Sequence, residues 1–174
     1  MNYAEIKTTD IANGEGVRVS LFVSGCTHHC KNCFNSVAWD FHYGKPFTEE
    51  TQQFLFDALA PDYIAGLSLL GGEPFEVENQ RGLLPFLENF KEKFPKKSVW
   101  CYTGYTYQDV GRLKEERANS EITPRLLSLI DVLVDGPFVE ELKDIRLKFR
   151  GSSNQRVIDI KRSLSLGSTV LYLT

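Results

Sequence analysis

The sequence predicts an α/β fold whose largely parallel sheet curls into an open, partial (β/α) barrel. Three observations carry that prediction. Short β-branched runs alternate with helix-period stretches, which implies right-handed crossovers between parallel strands. Each of the first four strands ends in a loop of unusual residues: three cysteines, then Gly-Gly-Glu, Thr-Gly-Tyr and Asp-Gly-Pro. Parallel α/β folds gather ligands at those carboxyl ends. Finally, the chain has 174 residues, well short of the roughly 250 of a complete eightfold barrel.

The elements follow in order. Val17–Val23 is β-branched and partly alternating, and reads as a first strand ending at the cysteine loop. Thr48 suits a helix cap with Glu49 and Glu50 in the first turn, and Phe54, Leu55, Ala58 and Leu59 form the buried stripe. Residues 67–70 read as a second strand, closed by Gly71-Gly72-Glu73-Pro74. Leu83, Leu87, Phe90 and Phe94 share one helix face, with Pro85 expected in the first turn and Pro95 beyond the end. Ser98–Tyr102 reads as a third strand. Thr106 and Asp109 have capping-box spacing and predict a helix there. Thr123 before Pro124 marks another helix start. Residues 130–134 read as a fourth strand, and 156–160 and 169–173 as later ones, while 138–148 carry no decisive pattern.

The length suits a single domain over 1–174, and 42% hydrophobic with 25% charged residues is a globular balance. A net charge of −3 gives no support for a nucleic-acid partner. The first ten residues hold no apolar signal core, and no stretch approaches membrane-spanning length. The expectation is a cytoplasmic protein with no membrane partner.

Cys26, Cys30 and Cys33 form a C-x3-C-x2-C series. One short loop thus offers three thiolates, one fewer than a closed zinc or iron–sulfur site takes, and leaves a metal position open. In a cytosolic protein such crowding reads as metal-binding or redox-active and not as disulfide structure. Cys101, 68 residues beyond Cys33 in an apolar run, reads as a small buried strand residue. The plainer alternative is a structural zinc site with His28, His29 or Cys101 as fourth ligand. Otherwise His28 and His29 read as solvated loop residues or as part of a protein interface.

Together, the cysteine loop and Gly71-Gly72-Glu73-Pro74 resemble the radical S-adenosylmethionine superfamily. The resemblance implies a 4Fe–4S cluster on Cys26, Cys30 and Cys33, with S-adenosylmethionine on the fourth iron through its amine and carboxylate. It implies that Gly71 and Gly72 let the strand end approach the cofactor, and that Glu73 accepts from the methionine ammonium. It places the backbone of Asn32, Cys33 and Phe34 beside the adenine. Asn32 departs from the aromatic residue that many members carry before the last cysteine. Asp135 reads either as a helix cap or as a contact to ribose or methionine, and Asn154 as a cofactor-side residue.

The resemblance narrows with further runs: Asp10 to Arg18, Leu21 to Cys26, Tyr102-Thr103-Gly104-Tyr105, Val132 to Phe138, and Arg150-Gly151-Ser152-Ser153-Asn154-Gln155-Arg156. Over roughly residues 2 to 160, about nine-tenths of the chain, the series is similar to the activating proteins of anaerobic (class III) ribonucleotide reductases. That family implies reductive cleavage of the cofactor, a 5′-deoxyadenosyl radical, and a glycyl radical on the reductase large subunit. Cluster and cofactor carry the chemistry, so no general acid or base is assigned. An open barrel side would admit a protein loop as substrate. The basic run Lys143, Arg146, Lys148, Arg150, Arg156, Lys161 and Arg162 suggests docking of an acidic flavodoxin- or ferredoxin-type electron donor, or of the reductase. Two alternatives stand beside this reading: an activase of another glycyl-radical enzyme of the pyruvate formate-lyase type, and a non-catalytic zinc or iron–sulfur binding module.

Overall fold

Four strands at the centre of the sheet are parallel, and each is one that the sequence marks with an unusual terminal loop. The computed structural model describes residues 1–174. In chain order the elements are β1 (Asn2–Asp10), β2 (Val17–Val23), β3 (Lys45–Pro46), α1 (Glu49–Leu59), β4 (Ile64–Gly71), α2 (Val77–Lys93) and β5 (Ser98–Tyr102). There follow a small hairpin of β6 (Tyr107–Gln108) and β7 (Arg112–Leu113), then α3 (Thr123–Ser128), β8 (Val132–Asp135), β9 (Arg156–Asp159), α4 (Ile160–Leu166) and β10 (Leu171–Leu173). The main sheet has eight strands in the order β10-β9-β8-β5-β4-β2-β1-β3. The pairings β2–β4, β4–β5 and β5–β8 are parallel, and the flanking pairings are antiparallel. The sheet is therefore mixed where a largely parallel one was expected: β1 and β3 on one flank and β9 and β10 on the other join it antiparallel. No ladder joins β10 to β3, so the sheet is open.

Strand alternation sorts the side chains onto two faces. Val19, Leu21, Val23, Leu67, Leu69, Val99, Cys101 and Leu133 join α1, α2 and α3 in the main core. The other face carries Arg18, Ser20, Phe22, Ser68, Leu70, Trp100 and Tyr102. There Trp100, Val132, Val134 and Val157 form a small cluster of their own, against which Tyr102, Phe149 and Leu173 pack. Tyr172 of β10 donates to Glu15 Oε2 at 2.7 Å, and its ring stands edge-on to Trp100 at 5.5 Å. Four strands separate β10 from β2 in the sheet, so these contacts show that it curls, with this second face inside.

The inner face is polar at the amino ends of the strands. Arg18 is 1% exposed. Its Nε donates to Ser68 Oγ at 2.8 Å, Nη1 to Glu15 O and Ser98 Oγ at 3.0 Å each, and Nη2 to Leu67 O at 2.9 Å and Ser98 O at 2.8 Å. All five N–H groups have partners and none is a carboxylate. Nearby, Asp10 accepts from Ser20 Oγ, Asn13 Nδ2 and the Ala12 N–H.

Several expectations change. β1 was not foreseen. The helix expected at Thr106 is the β6–β7 hairpin, because Val110 (φ 47°) and Gly111 (φ 76°) turn the chain back in the left-handed region. Pro85 lies inside α2 and not in its first turn. The helix begins earlier because Asn79 and Gln80, both fully buried, hold its start to Ser24 O, Glu73 O, Phe75 O and Ala118 O. The strand expected over 156–160 stops at Asp159, whose carboxylate caps α4 through the Arg162 N–H. Thr48 caps α1 as expected, in a reciprocal pair with Thr51. No helix is long and apolar enough to cross a membrane.

Candidate functional site

The cysteine loop leaves β2 through a backbone clamp. Gly25 N–H donates to Ala38 O at 2.7 Å and Cys26 N–H to Trp39 O at 3.2 Å. Thr27 binds Glu76 Oε1 through both its N–H, at 2.9 Å, and its hydroxyl, at 2.7 Å. His29 (φ 53°) and Asn32 (φ 59°) then take left-handed backbone, and Cys33 N–H closes a turn on Cys30 O at 3.2 Å. Asparagine is among the few side chains that enter this region cheaply, which accounts for Asn32 before the last cysteine. The His29 ring lies on Trp39 with centroids 4.3 Å apart.

Cys26 is buried, and Cys30 and Cys33 are half-buried. Burial pushes the Cys26 thiol up to about 12, opposed by the backbone N–H groups of His28 and His29 and reinforced by Glu73 and Glu76. Burial likewise raises Cys30, opposed by the Phe138 N–H and reinforced by Cys33 and Glu73. Thiols and carboxylate therefore share one neighbourhood. Three soft donors from one tight loop suit an iron–sulfur group by their chemistry. Cys101 sits on the helix side of the sheet, 1% exposed, away from the loop and fully within the main core.

The end of β4 abuts this loop. Gly72 N–H donates to Val23 O at 2.8 Å and Glu73 N–H to Gly25 O at 2.7 Å. A Cβ on Gly72 would stand 2.4 Å from Gly25 O and 2.8 Å from Ala38 O, and one on Gly71 (φ 125°) 2.2 Å from Val23 O. The glycines are thus required where the two loops meet each other.

Glu73 is 1% exposed, and its carboxylate is the hub of the site. Oε1 accepts from the Gly104 N–H and from His28 Nε2, both at 2.7 Å. Oε2 accepts from the Phe75 N–H and the Thr103 hydroxyl, both at 2.8 Å. One carboxylate thereby joins the loops after β2, β4 and β5. His28 is not a solvated loop residue. Its side chain is 12% exposed, bound to Glu73, and packed on Tyr105 at 4.3 Å. Sequence reasoning missed His28, Thr103 and Gly104 as partners of Glu73; the Thr-Gly pair closing β5 was the available signal.

The remaining candidates sit further out. Asp135, at the end of β8, is 1% exposed and accepts from Arg156 Nη2 at 2.6 Å, Arg156 Nε at 3.0 Å and the Tyr107 N–H at 2.7 Å. This bidentate pair docks the β6–β7 hairpin and holds the Arg156 guanidinium above its usual range. Asn154 is exposed and donates to Pro137 O at 2.8 Å. Gln155 completes that loop by donating to Gly136 O and accepting from the Gly151 and Ser152 N–H groups. Phe34 is 91% exposed. The basic run is dispersed: Arg156 pairs with Asp135, Arg146 with Asp144, and Lys161 and Arg162 line a cavity of about 550 Å³ with Arg18 at the opposite strand ends.

The family model of the 4Fe-4S single cluster domain matches residues 12–158. The anaerobic ribonucleoside-triphosphate reductase-activating protein of Pasteurella multocida is 43% identical over 157 residues, covering 89% of this chain and 95% of that protein. The protein of that description from Escherichia coli K12 is 38% identical over 159 residues, covering 90% and 97%. Its counterpart from Enterobacteria phage T4 is 37% identical over 157 residues, covering 90% and 93%. With relatives this close over nearly the whole chain, and with three thiols beside a Gly-Gly-Glu strand end, the chain belongs to the family of anaerobic ribonucleoside-triphosphate reductase-activating proteins.

Proposed function

We propose that this protein activates an anaerobic ribonucleoside-triphosphate reductase as a radical S-adenosylmethionine enzyme. Cys26, Cys30 and Cys33 would hold a 4Fe–4S cluster, and the strand-end loops would hold the cofactor. When bound, cluster and S-adenosylmethionine supply one-electron reductive cleavage and a 5′-deoxyadenosyl radical that takes a hydrogen atom from a glycine of the reductase large subunit. The observation that carries this reading is the Glu73 hub, which ties the cysteine loop to Gly71-Gly72 and to Thr103-Gly104.

The chain's own residues have separable tasks. Cys26 would be the buried ligand of the cluster, placed where the Gly25 and Cys26 N–H groups clamp to Ala38 O and Trp39 O. Glu73 would offer its carboxylate to the methionine ammonium. Of its four donors only His28 belongs to the cysteine loop, so the His28–Glu73 pair ties that loop to the strand-end rim. By the resemblance, the Asn32 to Phe34 backbone would border the adenine, and Asp135 and Asn154 would be cofactor-side residues. We read residues 1–174 as one domain, and the curled open sheet as the partial barrel of this superfamily. A flavodoxin- or ferredoxin-type protein in the cytoplasm would supply the electron.

The test is anaerobic incubation of cluster-reconstituted protein with S-adenosylmethionine, dithionite and the reductase. We expect 5′-deoxyadenosine together with a glycyl radical signal on the reductase by electron paramagnetic resonance. 5′-Deoxyadenosine without a radical on the reductase would redirect the reading to another glycyl-radical partner. Neither product from cluster-loaded protein would sink it.

A further inference from the structure

The 20-residue connection between β8 and β9, residues 136–155, folds as one closed loop. Lys143 bridges to Ser152, Asp144 N–H donates to Gly151 O, Ser153 N–H to Leu142 O, and Arg150 Nη1 to Gln155 O. The loop starts at the strand-end rim, where the Gly136 N–H donates to Tyr105 O at 2.9 Å. Its other end reaches the inner face of the sheet. There the Phe149 ring stands edge-on to Trp100 at 5.1 Å, over the cluster of Val132, Val134 and Val157.

Two features make this seat costly. Phe149 has φ 61°, a left-handed conformation that a bulky aromatic residue adopts only under constraint. Tyr102 packs on that same cluster with its hydroxyl enclosed and without any partner. Meanwhile the loop's own apolar residues stay outside, with Ile145 91% and Leu142 43% exposed. A loop that served only to complete the core would bury those side chains and relax Phe149.

We propose that the 136–155 loop is a plug, whose Phe149 covers the inner face at Trp100 until an extended segment of the reductase displaces it. The partner's identity rests on the function proposed above; the plug itself rests on the strain and packing around Phe149. The seat is shaped for one bulky apolar side chain edge-on to Trp100, so the displacing segment carries such a residue. Because part of the reductase's binding energy is spent opening the plug, the apparent affinity is lowered by the fraction of molecules that are open.

Phe149→Gly tests this, since glycine takes positive φ freely and has no ring. In a Trp39→Phe background, Trp100 is the sole tryptophan. We expect Phe149→Gly to increase acrylamide quenching of Trp100 in the cluster-loaded protein alone. The reductase concentration giving half-maximal glycyl radical should fall about three- to tenfold. Formation of 5′-deoxyadenosine without reductase should be unchanged. Unchanged quenching, or unchanged or higher half-saturation despite increased quenching, would overturn the plug. If Phe149→Gly does not fold, Phe149→Asn applies the same test, because asparagine tolerates this backbone and also lacks the ring. Should the wild type place no radical on the reductase, the partner assignment fails, and the quenching comparison alone decides the plug.

Discussion

Glu73 shows how much one side chain can organise. Its two oxygens take four hydrogen bonds from three separate loops, two of them from backbone N–H groups that can only donate. Glu73→Gln turns an NH2 group toward two existing donors. We expect a loss of about 2–3 kcal/mol, read as a lower urea midpoint, together with loss of S-adenosylmethionine binding. Asp10 supplies a pH dependence. Burial raises its carboxyl, but hydrogen bonds from Ser20, Asn13 and the Ala12 N–H outweigh burial and leave it below its ordinary value. A depressed carboxyl contributes stability that is present above its unfolded pKa and lost as pH falls through the folded one. Melting temperatures of wild type and Asp10→Asn should therefore differ at neutral pH and converge in acid; a constant gap would contradict this. The crowding of three thiols into one loop was legible from spacing alone. The His28–Glu73 pair was not, because its members lie 45 positions apart and only the meeting of two strand ends unites them.

At the scale of elements, the strand-end loops behave as one rigid rim. Gly72 is where a small change should travel furthest, since a Cβ there meets only backbone atoms, which cannot rotate away. Gly72→Ala should cost about 1–3 kcal/mol by overpacking. It should also lower the iron and sulfide retained after reconstitution, because Gly25 must move and carries Cys26 with it; full retention would argue against that coupling. Local sequence marked β2, β4, β5 and β8 well, since each is β-branched or apolar and ends in special residues. It failed for β1, whose residues are half-exposed or exposed except Asp10 and which is held by backbone pairing to β2. It also failed at Thr106, where capping-box spacing was outweighed by two consecutive left-handed residues.

For the whole molecule, an open curled sheet places the cysteine loop at one end of the strands and a polar cavity at the other. Four parallel strands and four antiparallel flanking strands could not be told apart by apolar period, since direction depends on connection and not on pattern. On the proposed ligand set, loss of the cluster should be felt globally, because Cys26, Cys30 and Cys33 lie on a loop clamped to β1, β4 and α2. Anaerobic reconstitution should raise the melting temperature of wild type, and Cys26→Ala, Cys30→Ala and Cys33→Ala should each abolish both that gain and glycyl radical formation. A variant that keeps either property would lose its assignment as an essential ligand.

Arg18 carries a last consequence. Burial lowers its guanidinium to about 10, so it remains charged at neutral pH while enclosed by neutral acceptors from β4, β5 and the turn after β1. Sliding β2 by a single residue would thrust that charge among the leucines under α1 and α2 and strip it of every acceptor at once. The residue thus works as a registration mark for assembly. Mispaired versions of the central sheet are thereby disfavoured, and with them the distant rim that depends on its alignment. Lysine, with its point charge and three donors, could not verify three separate segments in this way.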